Sequence, residues 1–205
     1  VDALAAGMGK LKAGMPYEDG VTLTPLPETG AVDKMTAYLE DAKAQGAKVY
    51  GARAGETDRT YFSPAVVYPV KKGMRLWTEE QFGPVVAVAP FDDPAEALDW
   101  LDEGCVGQQA SLFTRDAAAA GPLIDALANL VCRVNLNTQC RRGPDTFPFG
   151  GRKDSAEGTL SVTDALRCFS IRAVVAAKQA PADVALVQDV LHGRTSRFLT
   201  TDVLL

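Results

Sequence analysis

Val85-Val86-Ala87-Val88-Ala89-Pro90-Phe91-Asp92-Asp93-Pro94-Ala95-Glu96-Ala97-Leu98-Asp99-Trp100-Leu101 is the stretch that decides the fold. Residues 85–91 are apolar without alternation, the pattern of a strand covered on both faces, and such a strand is expected in the centre of its sheet. Asp93 then offers a side-chain oxygen to the free amides of a helix start, and Pro94 suits the first helical position because its missing N–H would have no partner there. Ala97, Leu98, Trp100 and Leu101 continue as one apolar helical face. A buried strand running straight into an amphipathic helix is the unit from which layered α/β domains are built.

The same alternation extends both ways. Downstream, 110–114 reads as a strand and Asp116 caps a helix through Leu123, Ile124 and Leu127, despite the interruption at Gly121-Pro122. Residues 131–137 are again β-like. Upstream, Val32, Met35, Leu39 and Ala42 share one helical face over 31–45, with Gly46 placed for a left-handed C-cap. A strand at 47–50, a polar loop at 51–60 and a β-prone stretch at 61–68 come next. The expected fold is α/β, three-layered, with a mostly parallel sheet. Residues 138–155 form a long segment rich in Arg, Gly, Pro and Phe after a strand end, where open sheets place their ligands. A helix at 159–168, a strand at 169–177 and an amphipathic helix carrying Val184, Val187, Val190 and Leu191 complete the chain.

With 205 residues, 47% hydrophobic and 23% charged, the composition is that of a globular domain and excludes a disordered or collagen-like chain. Lys plus Arg number 21 against 26 Asp plus Glu, a net charge of -5 that disfavours nucleic acid as a partner. Cys105, Cys132, Cys140 and Cys168 show no C-x-x-C spacing, and His192 is the only histidine, which argues against a zinc site. Four such cysteines fit reduced thiols in the cytoplasm. No apolar run approaches the ~20 residues that span a bilayer, so no membrane is expected as a partner.

Function comes from motifs. Glu79-Glu80-Gln81-Phe82-Gly83-Pro84 before a buried strand, Gln109 to Asp116 (QASLFTRD), the strand end at 134–137, and Phe147-Pro148-Phe149-Gly150-Gly151-Arg152-Lys153-Asp154-Ser155 together resemble the C-terminal half of the aldehyde dehydrogenase superfamily, in that family's order. Arg142-Gly143-Pro144-Asp145 ahead of Phe147, and Lys153-Asp154-Ser155 after it, most resemble the non-phosphorylating glyceraldehyde-3-phosphate dehydrogenases, which oxidise glyceraldehyde 3-phosphate to 3-phosphoglycerate with NADP.

The resemblance implies a division of the chain: 1–168 as the C-terminal part of an incomplete catalytic domain, 169–178 as an oligomerisation strand of a homodimer or homotetramer, and 179–205 as an extension the family does not account for. It implies that Glu80 binds the nicotinamide ribose, a carboxylate being suited to accept from both hydroxyls of a diol, and that Phe82 packs against the nicotinamide. NADP is the implied cofactor, with NAD as the alternative. Without the resemblance Glu80 reads as a solvated loop charge and Phe82 as a core aromatic. Arg142 is the expected substrate-phosphate ligand, through charge-assisted forked hydrogen bonds. Asn137 resembles a residue beside the active-site entrance; a plain strand-end turn residue is the equal alternative. Phe147 and Phe149 read as walls of the substrate passage or as core packing, and Arg141, Arg152 and Lys153 as a solvated basic loop.

Aldehyde oxidation in this family requires a cysteine thiolate attacking the carbonyl, an oxyanion to be stabilised, hydride transfer to nicotinamide, and water activated by a glutamate. The matching nucleophile motif, roughly G-Q-x-C, is absent from these 205 residues. Cys105 falls on a helix-to-strand turn, and the other three cysteines match no catalytic position, so no catalytic residue is expected here. Residues 4–24 resemble the stretch shortly after the catalytic cysteine in the family, and the chain is therefore expected to be a C-terminal part that is inactive in isolation. Two readings compete with a glyceraldehyde-3-phosphate enzyme: a dehydrogenase of a non-phosphorylated aldehyde, and a non-catalytic assembly module. Ala156 and Cys132-Arg133 depart from the family, which usually has Gly and often Gly-Thr there.

Overall fold

The computed structural model describes residues 1–144, 147–159, 161–171 and 173–196. The chain divides into two compact units: Val1–Arg141 with Gly150–Gly158, and Arg142–Phe149 with the described residues from Thr159 onward.

The first unit begins with α1 (Asp2–Met8) and α2 (Thr29–Ala44), then β1 (Lys48–Tyr50), the short β2 (Thr57–Asp58) and β3 (Tyr61–Phe62), and β4 (Ala65–Tyr68). It continues through α3 (Arg75–Thr78), β5 (Val85–Ala87), α4 (Pro94–Glu103), β6 (Val106–Gly107), β7 (Gln109–Leu112), α5 (Ala117–Leu130), β8 (Arg133–Leu136) and β9 (Arg152–Lys153). Helix α2 carries the expected stripe. Val32, Met35, Leu39 and Ala42 are buried with Tyr38, and they pack with Phe62, Ala65, Val67, Val70, Met74, Leu76 and Val85 into the main core. Gly46 has the expected positive φ of 91°, and the Ala47 N–H reaches back to the Ala42 carbonyl at 2.9 Å, closing the helix end.

Strand β5 corrects the opening expectation. It ends at Ala87 and lies at the edge of a three-stranded sheet of order β1-β4-β5. Val85 is buried, but Val86, pointing the other way, is 41% exposed. The doubly covered strand is β4, whose Ala65, Val66 and Val67 have no exposure, with α2 and α1 against it. An apolar run reports that both faces are apolar; it does not say which element covers each of them.

Helix α4 starts as expected. The Asp93 carboxylate accepts from the Ala95 N–H at 2.9 Å while Glu96 accepts from the Asp93 N–H at 3.2 Å, a reciprocal cap. Asp116 caps α5 through the Ala118 and Ala119 amides, and α5 carries Pro122 within it. Parallel β7 and β8 are joined through α5, giving a strand–helix–strand unit. The pairings are mixed rather than mostly parallel: β4–β5 and β7–β8 are parallel, while β1–β4, β2–β3 and β6–β9 are antiparallel.

In the second unit, α6 (Val162–Cys168) is capped by Ser161, which accepts from the Asp164 N–H, and α7 (Pro181–His192) has Val184, Val187, Val190 and Leu191 half-buried. His192 ends that helix and is exposed. The described residues of the expected strand at 169–177 are not in a ladder: a strand needs a partner edge, and here Ile171 is 98% exposed, with Phe169, Val174 and Val175 also in solvent. Arg172, Asp145 and the tail from residue 197 lie outside the described residues. Among the described residues, no helix is long and apolar enough to cross a membrane.

Candidate functional site

The turn 79–84 joins α3 to β5, and its two adjacent glutamates have opposite fates. Glu79 is fastened: Arg75, one helical turn earlier, donates Nε to Oε1 and Nη2 to Oε2, both at 2.9 Å, and the Tyr38 hydroxyl donates to Oε2 at 3.1 Å. The Arg75 hydrogen bonds hold the Glu79 carboxyl below its ordinary range, aided by Tyr38, against a burial effect acting the other way. Glu80 is held only by its backbone, whose carbonyl accepts from Lys34 Nζ at 3.1 Å and lies 3.4 Å from Tyr38 Oη, where it shares the one hydroxyl proton with Glu79. Its exposed carboxylate makes no hydrogen bond or ion pair among the described residues, so both oxygens face solvent as open acceptors.

Phe82 is 83% exposed at φ 46°, a left-handed conformation that costs a bulky residue roughly 1–2 kcal/mol. The reading of Phe82 as a core aromatic is thereby excluded. An exposed aromatic in a strained conformation is the arrangement expected where the partner is a ligand. Gly83 is closely packed: a Cβ there would lie 2.6 Å from Met35 Sδ, and Met35, which has no exposure, would have to shift. Gln81 Nε2 donates to the Val85 carbonyl at 2.8 Å, and the Pro84 carbonyl accepts from Ala65 at 3.0 Å, which starts the β4–β5 ladder.

Asn137, at φ 52° just after β8, spends its amide on Thr114: Oδ1 accepts from the Thr114 N–H at 2.9 Å and Nδ2 donates to the Thr114 carbonyl at 2.8 Å. It therefore extends the β7–β8 pairing as a strand-end residue. Glu80 and Asn137 lie next to strands of different sheets. In the second unit, the Arg142 guanidinium lies 5.7 Å from the centre of the Phe149 ring, a cation–π contact. Phe147 is 55% exposed, which excludes core packing for it, and Phe149 is half-buried.

The basic residues flanking this segment are corrected in part. Lys153 is not solvated: Nζ donates to the carbonyls of Leu101, Asp102 and Gly104 at 2.7, 2.8 and 2.9 Å and closes the C-terminus of α4. Arg152 Nε donates to the Val131 carbonyl at 3.2 Å, and a Cβ on Gly151 would collide with the Ser155 backbone. The G-G-R-K-D-S run is thus a latch joining β9 to the ends of α4 and α5. The departure at residue 133 is accommodated, since Arg133 donates Nε to Asn135 and Nη1 to the Arg141 carbonyl. Cys105 sits between α4 and β6, the expected helix-to-strand turn, and all four cysteines are unpaired and exposed.

The sequence places Arg75 and Glu79 within the motif stretch without a role for either, and it did not single out Tyr38 or Lys34. The i, i+4 spacing of Arg75 and Glu79 was a usable signal, as was a tyrosine within an otherwise aliphatic stripe, since a buried hydroxyl needs a partner.

The turn 79–84 is thus an α-to-β connection that displays Glu80 and Phe82 on its surface. The profile described as "Aldehyde dehydrogenase family" matches residues 1–175. The chain belongs to the aldehyde dehydrogenase family. It is 33% identical over 185 residues to the NADP-dependent glyceraldehyde-3-phosphate dehydrogenase of Streptococcus equinus, covering 90% of this chain and 37% of that protein. It is 34% identical over 160 residues to succinate-semialdehyde dehydrogenase [NADP(+)] 1 of Schizosaccharomyces pombe, covering 77% and 32%. Among solved structures, the NADP-dependent glyceraldehyde-3-phosphate dehydrogenase of Bacillus halodurans C-125 complexed with NADP is similar at a TM-score of 0.74 and 30% identity, covering 80% of this chain and 33% of that one. The chain spans about a third of the length of these relatives.

Proposed function

We propose that this chain is the C-terminal part of the catalytic machinery of an NADP-dependent aldehyde oxidoreductase acting on glyceraldehyde 3-phosphate, and that the nucleophilic cysteine and the general-base glutamate come from outside these 205 residues. The observation that carries this reading is the turn 79–84, with an unpartnered carboxylate on Glu80 and an exposed, left-handed Phe82 beside it. That set of groups fits a nicotinamide riboside: two carboxylate oxygens to accept from the two ribose hydroxyls and an aromatic face for the ring. The bound nicotinamide supplies hydride acceptance; the residues of this chain orient it. Similarity to NADP-dependent enzymes supports NADP, with NAD as the second choice.

For the substrate, Arg142 offers a guanidinium fork to a phosphate dianion, and the aromatic pair Phe147 and Phe149 offers apolar walls. Asn137 acts at one remove, by fixing the strand end. Relatives named for succinate semialdehyde and betaine aldehyde keep a non-phosphorylated substrate as the second reading. Residues 169–178 pair with another subunit, making a homodimer or homotetramer; their exposed apolar side chains and missing ladder support this. Sedimentation should show self-association. Four free thiols fit the cytoplasm.

The substrate test joins this chain to the upstream part of the Streptococcus equinus relative. Arg142→Ala in that fusion should lower kcat/KM for glyceraldehyde 3-phosphate by about one to two decades and leave succinate semialdehyde little changed. Equal losses for both aldehydes would assign Arg142 to loop structure, and no loss for either would remove the phosphate reading.

A further inference from the structure

The turn that presents Glu80 and Phe82 to solvent is fastened from beneath by a side chain with no exposure. Tyr38 lies mid-way along α2, within the stripe that otherwise consists of Val32, Met35, Leu39 and Ala42. Phenylalanine would fill the same volume there without a hydroxyl to satisfy. The hydroxyl instead meets both residues that begin the turn, at 3.1 Å to Glu79 Oε2 and 3.4 Å to the Glu80 carbonyl.

Neighbours on α2 and α3 complete the grip. Lys34, Tyr38 and Asp41 recur at helical spacing and share one face. Lys34 holds the Glu80 carbonyl, and an Asp41 carboxylate oxygen accepts from the Arg75 N–H at 2.8 Å, fixing the start of α3. The Arg75 guanidinium lies 4.6 Å from the Tyr38 ring centre while it grips Glu79. Met35 sits against Gly83 at the far end of the turn. The turn is therefore held at both ends by α2, and the residue it holds in a costly left-handed conformation is Phe82.

We infer that Tyr38, acting with Arg75 through Glu79, is a positioning residue: it fixes the backbone of residues 79–82 so that the Glu80 and Phe82 side chains project from one backbone conformation before any ligand arrives. This deepens the reading of Glu80 and Phe82 as cofactor residues and rests on it. Ordering the turn in advance removes an ordering cost from binding. The charged groups acting on Glu79 are Arg75 from α3 and Lys34 from α2, with Asp41 acting on Arg75 and Glu80 next in the chain. Because the Glu79 carboxyl is held low, its grip is fully present above the ordinary carboxylate range and is lost as pH falls through its depressed value.

The test uses the 205-residue chain and two readouts. Backbone order parameters of Gln81, Phe82 and Gly83 should be close to the ~0.85 of rigid backbone and fall below about 0.6 in Tyr38→Phe, with β4 unchanged. Glu79→Gln should loosen the same residues, and acid should bring the unsubstituted chain to the Tyr38→Phe values. NADP+ titration followed on the Glu80 and Phe82 resonances should need about tenfold more nucleotide in Tyr38→Phe, the effect of one lost hydrogen bond. Unchanged order parameters in both variants would overturn the inference, and so would loosening spread equally through α2 and β4. Resonances of Glu80 and Phe82 that ignore NADP+ in the unsubstituted chain, while the order parameters change as stated, would overturn the cofactor reading and leave the fastening of the turn established.

Discussion

The turn 79–84 and the segment Arg142–Phe149 both carry residues assigned to ligands, yet they are built in opposite ways. The turn is held by side chains from successive turns of α2 and by an ion pair from α3, so its exposed residues Glu80 and Phe82 are displayed by a scaffold. Among the described residues, the segment Arg142–Phe149 shows a hydrogen bond from the Phe147 N–H to the Pro144 carbonyl at 2.9 Å and the cation–π contact of Arg142 with Phe149. A site residue on a scaffold couples ligand binding to core packing, whereas one on a locally held segment is separable from it.

That difference sets the expected sizes of substitutions. Removing Met35, which has no exposure and supports both the core and Gly83, should cost the most: Met35→Ala loses about 2–5 kcal/mol of stability in urea unfolding, and the turn should loosen with it. Gly83→Ala attacks the same contact from the other side by forcing Met35 aside, and should cost about 1–3 kcal/mol. If Gly83→Ala were neutral, Met35 would have room that the packing denies it. At the small end, Arg142→Ala and Phe147→Ala should each change stability by no more than about 0.5 kcal/mol, even where Arg142→Ala disables turnover of the phosphorylated aldehyde. A large stability loss at Arg142 would erase the distinction between the two regions.

Much of the scaffold was legible in the sequence. The α2 stripe, the Asp93 and Asp116 caps and the Gly46 helix end all arise from local chemistry, because periodicity and capping depend on residues within one or two turns. The position of β5 was not legible: seven apolar residues announced a central strand, but sheet order depends on what lies beside Val86, which local patterning does not encode. Lys153 was misread for the same reason, since its three carbonyl partners lie about fifty positions away in the chain. The site was legible only as a motif. Glu80 and Phe82 could be named from the stretch Glu79-Glu80-Gln81-Phe82-Gly83-Pro84, whereas the contacts that hold it, Tyr38 and Arg75 beneath it and Met35 against its glycine, appear only when α2 is folded onto α3.

The central claim, that these residues furnish cofactor and substrate contacts but not the nucleophile, is tested most directly by NADP+ reduction with glyceraldehyde 3-phosphate, measured on the purified 205-residue chain and on its fusion to the upstream part of the Streptococcus equinus relative. The chain alone should form no NADPH, and the fusion should form it, with turnover lost when the upstream cysteine is replaced and retained in Cys140→Ser. NADPH formation by the chain alone that disappears in Cys140→Ser or Cys105→Ser would contradict the account, because the nucleophile would then lie within these residues.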